Sequence, residues 1–109
     1  MTQLEKLRQM LPAGEEILTH VGAWRLDEDG EHFGWLHLLE TMIVFLDDRD
    51  EQAYNDVVQL SQFRAAGISD DDETGVLTME WENQTKRYRG SIIELRAFIE
   101  SVDGLLPNP

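Results

Sequence analysis

The chain has 109 residues, 41% of them hydrophobic and 28% charged, which suits one small globular domain with a single core; no apolar run approaches the length of a membrane helix. It has no cysteine, so disulfides, thiolate nucleophiles and cysteine-based zinc sites are excluded, and a reducing, cytoplasmic setting is compatible. Nine Lys and Arg face 22 Asp and Glu, a net charge of −13, so nucleic-acid backbones and anionic headgroups are repelled and cationic partners attracted, although solubility alone also explains such a surface.

The N-terminal residues lack the basic-then-apolar pattern of a secretory signal. Thr2 and Glu5 form a capping box, and Leu4, Leu7 and Leu11 line one face of a predicted helix that Pro12 ends. Residues 17–25 read as a strand, and Asp27-Glu28-Asp29-Gly30 is turn chemistry. Residues 32–38 alternate as the next strand, with Phe33, Trp35 and His37 on one face. Glu40-Thr41 marks a tight turn. Met42-Ile43-Val44-Phe45-Leu46 is apolar on both faces, as expected of a central strand, and an acidic run over 47–51 closes it.

Residues 52–68 support two assignments. As a helix, Ala53, Tyr54, Val57, Val58, Ser61 and Ala65 share a face and Gly67 is its C-terminal cap. As a strand, Val58, Leu60 and Gln62 alternate with Val57, Gln59, Ser61 and Phe63. Asn55-Asp56-Val57-Val58 is poor helix material, which favours strand. Residues 75–82 alternate clearly, Asn83-Gln84 is a hairpin turn, and 85–89 return as a strand. Ser91 and Glu94 form a second capping box. Ile92, Leu95, Ile99 and Val102, widened by Phe98, make the stripe of a helix over 91–102, with Gly104 as its stop. One domain over 1–104 and a tail or linker stub over 105–109 follow from this pattern.

Chemical motifs are sparse. Acidic clusters at 27–29, 47–51 and 70–73 fail the calcium-loop pattern. Gly30 as the central glycine puts Arg25 at the first ligand position, and Gly75 puts Trp81 where a glutamate belongs. His20, His32 and His37 have no zinc spacing, and on one strand His32 and His37 face opposite ways. No nucleophile elbow and no phosphate loop occurs. We therefore expect no metal, no cofactor and no catalysis. In Lys86-Arg87-Tyr88-Arg89 the cations either meet a partner beside Tyr88 or pair with Glu80 and Glu82 across the hairpin. Trp24, Trp35 and Trp81 either anchor an interface or fill the core.

Taken together, residues 11–18 (Leu11-Pro12-Ala13-Gly14-Glu15-Glu16-Ile17-Leu18), 34–38 with 42–45, 57–63 and the helix over 91–102 resemble bacterial pleckstrin-homology-like domains of the GRAM-related type. The resemblance implies an α+β fold: a small curved antiparallel sheet or partly open barrel with an N-terminal helix and a C-terminal capping helix. It also suggests the N-terminal domain of an export transporter with nucleotide-binding domains. Lipid-binding members of the wider superfamily carry Lys and Arg in the first hairpin. Here that hairpin is Asp27-Glu28-Asp29-Gly30-Glu31, which repels an inositol phosphate.

The expected function is a non-catalytic protein-interaction or regulatory module. It would bind a protein partner, not nucleic acid, phosphoinositide or membrane. The candidate contact residues are Trp35, Trp81, Tyr88, Arg87 and Arg89, at a sheet edge or a groove near the last helix. If 50–66 is a helix, the order α-β-β-β-α-β-β-α resembles the acidic chaperones of type III secretion. A third reading is an inhibitor whose carboxylates mimic nucleic-acid phosphates.

Overall fold

The computed structural model describes residues 16–47, 56–71, 73–82 and 84–106. The helix expected over the first eleven residues lies outside them. Within them the order is β1 (Ile17–Asp27), β2 (Gly30–Leu39), β3 (Met42–Asp47), β4 (Asp56–Gln59), a single 3-10 turn (Leu60–Gln62), β5 (Phe63–Asp71), β6 (Thr74–Trp81), β7 (Gln84–Ser91) and α1 (Ile92–Leu105).

The strands form one seven-stranded antiparallel sheet in the order β4-β3-β2-β1-β7-β6-β5. β4 and β5 are its two edges, so the sheet is not closed. The register follows from side-chain alternation. Val21 and Ala23 of β1, Leu36 and Leu38 of β2, and Ile43 and Phe45 of β3 point into one core with Leu77, Met79 and Tyr88 of the second half. α1 contributes Leu95, Phe98 and Val102 to that core, and so plugs one end of the curved sheet. Its start is capped by Ser91, whose Oγ accepts the Glu94 N–H at 3.4 Å.

β3, expected to be central, is an interior strand next to the β4 edge. It pairs with β2 on one side and β4 on the other. Its second face carries Val44 and Leu46, buried with Leu39 and packed by Ile17 and Met42. Two glycines meet local demands. Gly30 closes the first hairpin at φ 130°, a region L side chains avoid. Gly34 lies where a Cβ would sit 2.3 Å from the Leu46 carbonyl oxygen, so β2 and β3 approach there at glycine distance.

Two expectations are corrected. The helical option for 50–66, and with it the secretion-chaperone topology, is excluded by β4, the 3-10 turn and β5, which occupy 56–71. The helix at the end does not stop at Val102 or Gly104. It runs to Leu105, because Leu106 packs against the core and its N–H bonds the Val102 carbonyl at 3.2 Å. No helix among the described residues is long and apolar enough to cross a membrane.

Candidate functional site

Two surfaces carry chemistry. The first lies at the end of the sheet where the β1–β2 and β6–β7 hairpins meet. A pocket of about 270 Å³ there is bordered by Arg25, Asp27, Glu28, Lys86 and Arg87. The inward alternation of β1 sends Arg25 beneath this pocket, where it is only 6% exposed. Burial disfavours its charge. The Asp56 carboxylate at the start of β4 more than compensates, and the guanidinium is held more firmly protonated than usual.

The contact is two-pronged: Nε donates to Asp56 Oδ2 at 2.7 Å and Nη2 to Oδ1 at 3.3 Å. Nη1 donates to Asp27 Oδ2 at 2.5 Å, and that bond, then the Glu28 N–H, holds the Asp27 carboxyl below the ordinary range. The Tyr88 hydroxyl donates to Asp56 Oδ2 at 2.7 Å. Burial and then the Asp56 charge push the Tyr88 phenol well above its normal pKa. Asp56 thus accepts from both Arg25 and Tyr88, the directly paired residues of β1 and β7. The cation buried beneath the pocket is committed internally, and at the rim Asp27 and Glu28 face Lys86 and Arg87.

The second surface is aromatic. On the outer face of β1 and β2 the register pairs His20 with His37, Gly22 with Trp35 and Trp24 with Phe33. The rings pack edge to face. Trp24 and Phe33 are 5.1 Å apart, Phe33 and Trp35 6.0 Å, and His20 and Trp35 5.6 Å. The β1–β7 ladder covers Trp24, Arg25 and Leu26, and Gly90 still lies against Gly22 and Ala23; from Val21 towards its N-terminus β1 has no β7 partner among the described residues. α1 passes beside this open edge. A cleft of about 470 Å³ lies between them, walled by His20, Phe33 and Trp35 on one side and Ala97 and Phe98 on the other, with Glu94 at its rim.

The five residues singled out from the sequence do not come together. Trp35 lines the cleft. Arg87 is exposed beside the 270 Å³ pocket. Arg89 grips Glu31 of β2, Nε to Oε1 at 3.0 Å and Nη2 to Oε2 at 2.5 Å. The register sets Glu80 opposite Thr85, so the expected pairing of the basic strand with Glu80 and Glu82 is not how Arg89 is held. Trp81 and Tyr88 are 4% and 0% exposed and belong to the core rather than to a contact surface. Sequence reasoning missed the Arg25–Asp56–Tyr88 cluster and the inclusion of His20, Phe33 and Glu94 in one cleft. The period-2 alternation that grouped Phe33, Trp35 and His37 was the available signal for the latter. Among the described residues no three His, Asp or Glu side chains gather as a metal-ligand set.

No family model matches the sequence, and no curated protein matches it significantly. Solved structures do resemble the fold. The C-terminal domain of an unknown protein from Leishmania infantum superposes with a TM-score of 0.76 at 13% identity, over 97% of this chain and 100% of that one. The Vps36 N-terminal PH domain gives 0.66 at 12% identity, over 87% and 81%. A linker-DH/PH structure of p115-RhoGEF gives 0.66 at 16% identity, over 97% of this chain and 34% of that one. At such identities the likeness establishes the fold alone: this is a PH-like scaffold, an open curved antiparallel sheet plugged by a C-terminal helix.

Proposed function

We propose that the chain is a non-catalytic protein-interaction module on a PH-like scaffold, and that it does not take phosphoinositide headgroups. The observation that carries this reading is the internal commitment of Arg25 to Asp56 and Asp27 beneath the hairpin pocket. An inositol phosphate entering there would have to displace a carboxylate from a buried guanidinium and approach a rim where Asp27 and Glu28 oppose Lys86 and Arg87. The net charge of −13 opposes adsorption to anionic bilayers as well. A protein partner meets none of these obstacles and finds an aromatic surface on β1 and β2. The resemblance of residues 11–18 to GRAM-related bacterial domains suggests a cytoplasmic accessory domain of an export transporter as its setting.

Co-sedimentation with vesicles containing phosphatidylinositol bisphosphate, alongside chemical cross-linking of the chain in its own cells, tests this. The expected result is no sedimentation above that with phosphatidylcholine alone, and cross-links to a second protein. Sedimentation that requires the phosphoinositide, or the absence of any protein cross-link, refutes the proposal.

A further inference from the structure

We infer that the cleft between β1 and α1 receives an arginine side chain carried on an extended segment of a partner protein. This rests on the reading of the chain as a protein-interaction module and specifies the chemistry of what it binds.

The aromatic row on β1 and β2 has two ends, and one is already filled. At that end the Arg89 guanidinium lies 6.0 Å over the Trp24 ring while Glu31 holds it from the side. That is a cation on an aromatic face, fixed by a carboxylate. The other end repeats the aromatic and acidic parts. Trp35 stands nearly perpendicular to Phe33, at 75°, and at 62° to His20, so ring faces and edges enclose the space from different directions. Glu94 supplies the carboxylate, and no lysine or arginine is among the described residues that line the cleft.

Gly22 gives the two rings room to lie across the strand. A Cβ built there would touch Phe33 Cζ and Trp35 Cζ3 at 3.4 Å each, so the rings lie across the strand where a larger side chain would stand. Guanidinium suits the place better than ammonium. It is planar, stacks on aromatic faces and bonds carboxylates with a fork of N–H groups. The occupant's backbone is set by β1. Over residues 17–21 that strand pairs with β2 but, among the described residues, not with β7, which leaves a strand edge along the cleft for an extended segment. The overall charge of −13 raises the local concentration of any basic segment. An anionic lipid or an acidic peptide is disfavoured by Glu94 and by that same field.

The test is an NMR titration with the capped peptide Val-Thr-Arg-Thr-Val against the same peptide carrying citrulline, its neutral isostere. The expected shifts fall on the Gly22 and Glu94 amides and the Trp35 indole N–H. The arginine peptide should bind at least about fivefold more tightly than the citrulline peptide. Glu94→Gln, at an exposed helix position, should weaken it about two- to fivefold. Trp35→Leu should abolish the shifts at Gly22 while circular dichroism shows the sheet retained. Should that variant not fold, Gly22→Val blocks the same space from the strand side.

Equal binding of the citrulline peptide overturns the proposal. So do shifts confined to the acidic hairpin at 27–31 that persist in Glu94→Gln, a titration without shifts, and equal binding of phosphatidylserine vesicles at these residues. Any of these outcomes with the cellular cross-links intact removes the arginine site and leaves the interaction module standing. Loss of both removes the two together.

Discussion

Replacing Asp56 with alanine should be among the most damaging single changes in the described chain. Asp56 is 8% exposed and accepts two bonds from Arg25 and one from the fully buried Tyr88 hydroxyl. Its removal leaves a buried cation without its main partner, a change that costs about 3–5 kcal/mol, and strands a buried hydroxyl, at about 1–3 kcal/mol. The two do not add fully. Arg25 keeps Asp27 at 2.5 Å, whose side chain is 30% exposed and therefore partly solvated. A loss of about 4 kcal/mol follows. With a urea slope of about 2 kcal/mol/M, the unfolding midpoint drops by about 2 M. Tyr88→Phe, which removes one donor and leaves the ion pair, should cost about 1 kcal/mol. The pair Arg25→Met with Asp56→Leu should be less damaging than Asp56→Ala alone, because no buried charge is left uncompensated and Asp27, 30% exposed, is partly solvated. A midpoint drop below about 0.5 M for Asp56→Ala would show that the guanidinium is solvated after all, and the locked-cation argument against headgroup binding would go with it.

Gly34→Ala should cost about 3 kcal/mol, since its methyl would sit 2.3 Å from a backbone oxygen and 2.6 Å from Phe45 Cζ; a thermal midpoint within two degrees or so of the parent contradicts the close approach of β2 and β3. His37 is 6% exposed, and burial, aided by the His20 charge, lowers its pKa to about 4. The unfolded chain takes up that proton near its ordinary value of about 6.5, so the stabilisation is complete above that pH and declines as pH falls to about 4, by up to about 3 kcal/mol. Urea midpoints between those pH values should fall less steeply for His37→Leu than for the parent. Parallel curves would mean that His37 ionises freely in the folded state.

Strands whose two faces differ in polarity were legible, and so were those apolar on both. The alternation over 17–25, 32–38 and 75–82 and the apolar run 42–46 all became strands within a few residues of the expected ends. β5 was not legible. It is an edge strand that sends only Phe63 and Ile68 towards the core, and an edge needs little apolar surface to be held by its one neighbour. The helix end was misplaced because glycine is a stop only where the chain must turn, and the core contact of Leu106 is worth another turn. Asp56 read simply as a poor helix former. Its partners lie 31 and 32 residues away in sequence, and no local pattern announces a contact that exists only once β1, β4 and β7 are assembled. The cleft was half visible. Alternation put Phe33 and Trp35 on one face, but its second wall depends on where α1 crosses β1.

β1 belongs to both halves of the sheet, yet its ladder to β7 is three residue pairs long, against ten to β2. The backbone joint between the halves is therefore narrow, and splaying them at that point disrupts few main-chain bonds. The amide protons that bond β1 to β7 within 24–26 and 87–89 should report such gaping in hydrogen exchange before those that bond β1 to β2 do. A molecule built this way can widen its mouth beside the last helix without unravelling either half.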